Sequence, residues 1–224
     1  MRLALWLSFT ALVASISVRD ARAEWPHINS KLRSGQGAIH KVVILPAQVD
    51  YKKIRFEGAE PRTEESDRIA GSLYSAVSKE LSLRGVEVLP NPLEAARTDA
   101  ERYVIADLET RYDTVGVQIR KRPGLVEQGQ ATLDDRVATF APGAGSDTLV
   151  FIRGNGADRL PPVPVGRVPF RAEVAFVDSK TGEVLALVRF SSLTDVANKT
   201  DGRLASGFRE ALHDLPLPAP PPKK

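Results

Sequence analysis

"LVFIRGNGADR", residues 149–159, decides how the chain is read. An apolar, strand-like run, Leu149 to Ile152, passes into Gly154-Asn155-Gly156. Glycines after a strand open many phosphate-binding loops, provided a helix N-terminus follows and faces the phosphate. Here Ala157-Asp158-Arg159-Leu160 leads into Pro161, Pro162 and Pro164. Prolines oppose an immediate helix, and no Gly-Lys-Ser/Thr is present, so the phosphate-loop reading fails. The stretch reads instead as a strand, 147–153, that releases the chain into an irregular connection, 154–169. It divides a βα half from an antiparallel half.

Upstream, "KVVILP" (41–46) is a short apolar run stopped by proline, as in a buried strand. A charged loop follows. Ser66 is the expected cap of a helix over 66–84, whose Ile69, Leu73, Val77 and Leu81 form one apolar stripe, widened by Ala70 and Tyr74. Gly85 is the expected C-terminal stop. "VEVLP" (86–90) gives the second strand, and strand–helix–strand at this spacing predicts a right-handed parallel βαβ unit. Residues 91–124 read as helical: Pro92 opens the run, a break falls near Thr98-Asp99, and Pro123-Gly124 ends it. Val104, Leu108, Tyr112, Val115 and Ile119 keep helical spacing. Thr132 to Asp135 starts a short helix that ends near Phe140.

Downstream, "VPFRAEVAFVDSKTGEVLALVRFSS" (168–192) predicts a hairpin turning at Gly182, the left-handed position of its loop. Phe170, Ala172, Val174 and Phe176 share one face. Ala175, Val177, Leu185 and Leu187 make the other face apolar near the turn, so both faces are covered. Odd and even pairings both bring apolar side chains together, so register stays open. Residues 201–213 form a closing helix with Leu204, Phe208 and Leu212 on one face. The expected fold class is therefore α/β (α+β): one three-layer domain over 39–213, with a mixed sheet of about five strands and a C-terminal helix.

The ends carry location. Met1-Arg2, the uncharged apolar run from Leu3 to Val18, and Ala21-Arg22-Ala23 make a signal peptide over 1–23. Cleavage is expected between Ala23 and Glu24. The rival reading, an uncleaved anchor, needs roughly 20 apolar residues, more than this run supplies. Residues 24–38 read as a polar lead-in, and 214–224, with five prolines, as a disordered tail. No later run spans a bilayer, and no cysteine offers lipid attachment or a disulfide. The expectation is an exported, soluble, periplasmic or extracellular protein. Arg2, Arg19 and Arg22 against Asp20 leave with the leader, so the net charge of +3 falls to near +1. That balance gives no argument for a nucleic-acid partner.

Catalytic chemistry finds no constellation in the sequence. His27, His40 and His213 are scattered, without metal-ligand spacing. Ser206-Gly207 lacks the strand and leading glycine of a nucleophile elbow. Asp134-Asp135 is explained by helix capping. No catalytic, metal or cofactor residue is expected. A candidate partner surface comprises Arg120, Lys121 and Arg122 at a helix end, with Arg153, Asn155 and Arg159 around the connection 154–169, the first guess for a binding loop.

The order of "KVVILP", "SDRIAGSLYSAVSKELSLRG", "VEVLP", "GSDTLVFIRG" and "VAFVDSKTGEVLALVRF" resembles that of exported envelope accessory domains, over residues 39–213. These are the LpoB-type penicillin-binding-protein activators, the CsgG-type secretion lipoproteins and the N-terminal domain of TolB. The resemblance implies a mixed sheet with helices, no catalytic residues, and a role through contacts with another envelope protein. This chain lacks the lipid-attachment cysteine of the lipoprotein members, and no functional residue carries over. Two other readings remain at this point: a carboxylate-dependent hydrolase or glycan-acting enzyme, and a carrier for a small apolar ligand.

Overall fold

The computed structural model describes residues 21–24, 26–90, 92, 98–140, 145–159, 168–192 and 200–218. Its strands are β1 (Ala21–Ala23), β2 (His27–Ile28), β3 (Lys41–Ile44), β4 (Gln48–Arg55), β5 (Gly58–Pro61), β6 (Glu87–Val88), β7 (Thr148–Arg159), β8 (Val168–Asp178) and β9 (Val184–Ser192). Its helices are α1 (Ser30–Arg33), α2 (Thr63–Leu83), α3 (Asp99–Lys121), α4 (Gly124–Glu127) and α5 (Thr200–Ala211), with a 3-10 turn at Asp135–Thr139. The sheet runs β1-β9-β8-β7-β3-β6 and is open. β2 continues β1 along β9, and β4 continues β3 along β7.

The five expected strands are β3, β6, β7, β8 and β9, and the βαβ unit β3-α2-β6 is parallel. Four further strands extend the sheet. The charged loop after β3 is the hairpin β4–β5, in which β4 lies parallel to β7 and β5 forms a wholly exposed edge. Glu60 and Pro61 on that edge, with Lys52 and Lys53 opposite them in β4, discourage pairing with other chains, which is why the segment reads as a loop. The hairpin also delivers the chain to α2 early. That helix begins at Thr63 with Glu64 and Glu65 in its first turn. Ser66 is therefore inside the helix and not its cap; its Oγ accepts the Tyr51 N–H at 3.1 Å.

The connection expected from Gly154 onward is also a strand. β7 runs twelve residues to Arg159, with Gly154 between Val49 and Ala172 and Gly156 beside Tyr51. A Cβ at Gly154 would stand 2.8 Å from Phe170 Cζ, and one at Gly156 2.9 Å from Phe170 Cδ2. The Phe170 ring lies over both glycines, so they are glycines to admit it. The rest of the expected connection, 160–167, lies outside the described residues, as do 93–97 at the expected helix opening and 219–224 of the tail.

Helices cover both sheet faces and make three layers. On one face Ile69, Leu73, Val77 and Leu81 of α2 and Leu204 and Phe208 of α5 pack on Val150, Ile152, Val174, Phe176, Val188 and Phe190. On the other, Ile105, Leu108, Tyr112 and Ile119 of α3 pack on Leu149, Phe151, Ala175, Val177 and Leu187. Complete burial of such a side chain stabilises the fold by about 1.5–3 kcal/mol before entropy is counted. Register across the hairpin is fixed by Ala175 opposite Leu187 and Val174 opposite Val188. A bulge after Phe176 shifts Leu185 onto the α2–α5 face, away from Val177 and Leu187. Gly182 has φ +72, as its turn requires. Thr98 and Glu101 form a capping box that starts α3 at the expected break.

The lead-in and the start of the tail belong to the packed fold. Leu32 of α1 is fully buried, and Asn29 Nδ2 donates to Glu183 Oε1 at 2.8 Å. Leu215 is buried as well, and Arg84 Nη1 holds the Leu212 carbonyl at 2.8 Å. β1 ends at the expected processing point: Ala23 pairs with Phe190, and just beyond it the Glu24 N–H donates to the Arg189 carbonyl at 3.0 Å.

Candidate functional site: an arginine-lined cleft

Strand alternation places every second residue of β7, β8 and β9 on the α3 face. Beyond the apolar row Phe151–Ala175–Leu187, register aligns Arg153, Glu173 and Arg189 across the three strands, then Asn155, Arg171 and Ser191. α3 crosses this face and brings Arg120 to the same end. The result is a cleft of about 240 Å³ lined by Arg120, Arg153, Asn155, Arg171, Glu173 and Arg189, with Glu24 at its lip.

Glu173 organises the cations. Its carboxylate accepts the Tyr112 hydroxyl at 2.7 Å, Arg189 Nε at 3.0 Å and Arg120 Nη1 at 3.3 Å. Tyr112 is fully buried and stacks on Phe151 with ring centroids 4.6 Å apart. Burial, and then the neighbouring Glu173 charge, push the Tyr112 hydroxyl well above its ordinary pKa, so it stays protonated as a donor. Arg153 lies over the Tyr112 ring at 5.0 Å. Its Nε donates to Asp113 at 2.7 Å and its Nη2 to Glu109.

Glu109 is the perturbed acid. Burial pushes its pKa up to about 7, against the opposing attraction of Arg153, and its Oε1 has no partner among the described residues. It lines a second, more open depression with Asp113, Arg102, Thr110 and Gln48.

Three of the six expected surface residues meet in the cleft: Arg120, Arg153 and Asn155. Lys121 and Arg122 are exposed beside it, and the Arg159 side chain lies outside the described residues. Sequence reasoning missed Arg171, Glu173 and Arg189. The signal was available: these are charged residues at alternate positions within otherwise apolar hairpin strands. Arg171 is exposed and has no hydrogen-bond or ion-pair partner among the described residues, and Arg189 Nη2 is buried without one. Those free N–H groups can receive a carboxylate or phosphate in the bidentate geometry that guanidinium favours.

The other candidates resolve into structural roles. His27 Nδ1 is 3.0 Å from Glu127, and His213 Nδ1 is 3.0 Å from Asp214. The His40 N–H donates to Asp147 at 3.0 Å. Asp134 caps the 3-10 turn by accepting the Arg136 N–H. Among the described residues no group of three or more His, Cys, Asp or Glu could hold a metal ion, and no helix is long and apolar enough to cross a membrane.

No protein-family model matches the chain, and no curated protein matches it. Among solved structures it is similar to the PelC dodecamer from Paraburkholderia phytofirmans, at 8% identity and TM-score 0.39, covering 84% of this chain and 94% of that one. It is also similar to a Helicobacter pylori homolog of a hemagglutinin named for neuraminyllactose binding, at 11% identity and TM-score 0.36, covering 78% and 80%. A third is Lipoprotein GNA1162 from Neisseria meningitidis, at 14% identity and TM-score 0.36, covering 78% and 99%. These are weak likenesses to bacterial proteins that differ by name from the families the sequence resembles. At such identities and scores they transfer neither residue nor activity.

Proposed function

We propose that the chain is an exported, non-enzymatic binding or scaffold domain of the bacterial envelope. It acts through protein contacts, and the arginine-lined cleft receives an acidic group of its partner. One observation carries this reading: Arg171 and the Arg189 Nη2 group have guanidinium N–H donors that no carboxylate among the described residues uses. The leader expected over 1–23 supports a location outside the cytoplasm. The test is affinity capture from an envelope extract with the processed protein and with Arg171→Glu, a substitution at an exposed position that leaves the melting curve unchanged. The native protein retains a specific partner and the variant loses it. Capture of the same partners by both proteins, or of none by either, refutes the reading.

The hydrolase reading has one observation in its favour, a Glu109 carboxyl poised near neutrality beside Asp113. Both acids are already engaged with Arg153, which spends their charge on the fold. An apolar carrier requires an apolar pocket, and the cleft lining is largely charged.

A further inference from the structure

The edge of β9 beside the cleft is occupied by a segment that processing removes. Ala21, Arg22 and Ala23 pair antiparallel with Ser192, Ser191 and Phe190, and the Glu24 N–H donates to the Arg189 carbonyl. Antiparallel ladders alternate hydrogen-bonded and non-bonded pairs, so the bonded pair beyond Glu24–Arg189 is Arg22–Ser191. β8 fills the other side of β9. Cleavage after Ala23 therefore leaves the Ser191 N–H and carbonyl unpaired. It leaves them next to Arg171 and Arg189, and next to a new α-ammonium on Glu24 at the cleft lip.

We propose that this vacated edge accepts an extended segment of the partner protein as an added β-strand, with an acidic residue opposite Ser191. The proposal rests on the cleft being the binding site and names what enters it. The leader shows that the edge takes a strand in this register. Cross-strand partners share a face, so a side chain opposite Ser191 falls on the face of Arg171 and Arg189. The leader has an arginine at that register position, whereas the cleft has spare guanidinium donors, so a glutamate or aspartate is the complementary choice. Main-chain bonds supply affinity and the charged position supplies selection, as in other strand-addition interfaces.

The experiment uses the exported, processed protein and the peptide amide acetyl-Val-Thr-Val-Thr-Glu, which ends at Glu because Glu24 stays paired with Arg189. A second peptide replaces Glu with Lys, and a third carries an N-methyl group on the Glu nitrogen, which removes one ladder donor while keeping the charge. Binding is read by titration, and amide hydrogen exchange is followed at Ser191. The expected result is slowed exchange at Ser191 with the Glu peptide and about tenfold weaker binding of each altered peptide. Equal binding of the N-methyl peptide, or unchanged exchange at Ser191, overturns strand addition. Inorganic phosphate is titrated in parallel. Phosphate binding without peptide binding overturns this proposal and leaves the cleft as an anion site; binding of neither overturns both. A processed protein whose mass shows a start before Glu24 keeps its edge filled and overturns the proposal on its own.

Discussion

Gly154→Ala separates a strand from a loop by the sign of its effect. In a flexible connection, alanine at a φ it can adopt restricts the unfolded chain and stabilises by about 0.4–1 kcal/mol. In β7 the same gain competes with steric conflict. The added Cβ would lie 2.8 Å from Phe170 Cζ, 3.0 Å from Val49 Cγ2 and 3.3 Å from Leu73 Cδ1, against about 3.5–4.0 Å for carbons at rest. Neither Phe170 nor Leu73 can swing aside, since both are buried on the α2–α5 face. Overpacking of this kind costs about 1–3 kcal/mol. Set against the entropic gain, the net destabilisation is about 0–2.6 kcal/mol, and about 1.3 kcal/mol at the middle of both ranges. For a domain of this size the middle value lowers Tm by roughly 3–5 °C. Thermal melts of Gly154→Ala, Phe170→Leu and the double variant make the test complete. Shortening the ring relieves the clash, so the double variant loses less than the sum of the singles, by about 0.5 kcal/mol or more. An unchanged or raised Tm for Gly154→Ala, or strict additivity in the pair, refutes the ring-over-glycine account and restores the loop.

Two further outcomes follow from the same packing. The folded pKa of Glu109, about 7, lies above its ordinary 4.5, so the folded chain holds a proton that the unfolded chain releases between those values. This group therefore adds stability as pH falls from about 7 to 4.5, by on the order of 3 kcal/mol, and withdraws it as pH rises. The Glu109→Gln variant lacks that slope, so its urea midpoints subtracted from those of the native protein at each pH isolate it; a difference that is flat with pH refutes the burial account. Gly182→Ala places a Cβ 2.1 Å from the Asp134 carbonyl oxygen at a residue with φ +72, so backbone strain and a backbone clash add. A loss of about 3 kcal/mol or more is expected in chemical denaturation, and a loss under 1 kcal/mol contradicts the turn geometry.

What the sequence disclosed tracks where local and tertiary demands agree. Pro46, Gly85 and Pro90 bracket apolar runs whose spacing suits β3, α2 and β6, so those elements were legible. The break read near Thr98-Asp99 coincides with the start of α3. β4 and β5 were not legible, because an edge hairpin buries little beyond Tyr51 and carries the charges of a loop. Gly154 and Gly156 misled because glycine is poor in strands on local grounds. The demand that overrides this comes from Phe170, which lies far along the chain. The cleft was half legible. Arg120, Arg153 and Asn155 stood out as candidate surface residues, but Arg171 and Arg189 join them only once register is set. A one-residue slip in β9 would turn Arg189 to the opposite face.

Register also divides the arginines into two kinds. Arg153 is nearly buried, and two carboxylates, Glu109 and Asp113, answer its single charge while its guanidinium covers the Tyr112 ring. It ties α3 to β7 and has little left for a ligand. Glu173 instead supplies one carboxylate to Tyr112, Arg120 and Arg189 together, while Arg171 stands in the next row without an acid partner among the described residues. A single negative charge shared by two arginines and a tyrosine holds the guanidinium groups in place without neutralising them. Packing alone would favour a second acid opposite Arg171, and register position 155 offers asparagine, which can hydrogen-bond to an anion but cannot replace one. The deficit of negative charge is therefore local to the end of the sheet where α3 stops and β9 meets β1. On the proposal of strand addition, an acidic strand that takes the place of β1 meets ladder groups and uncompensated cations at the same place.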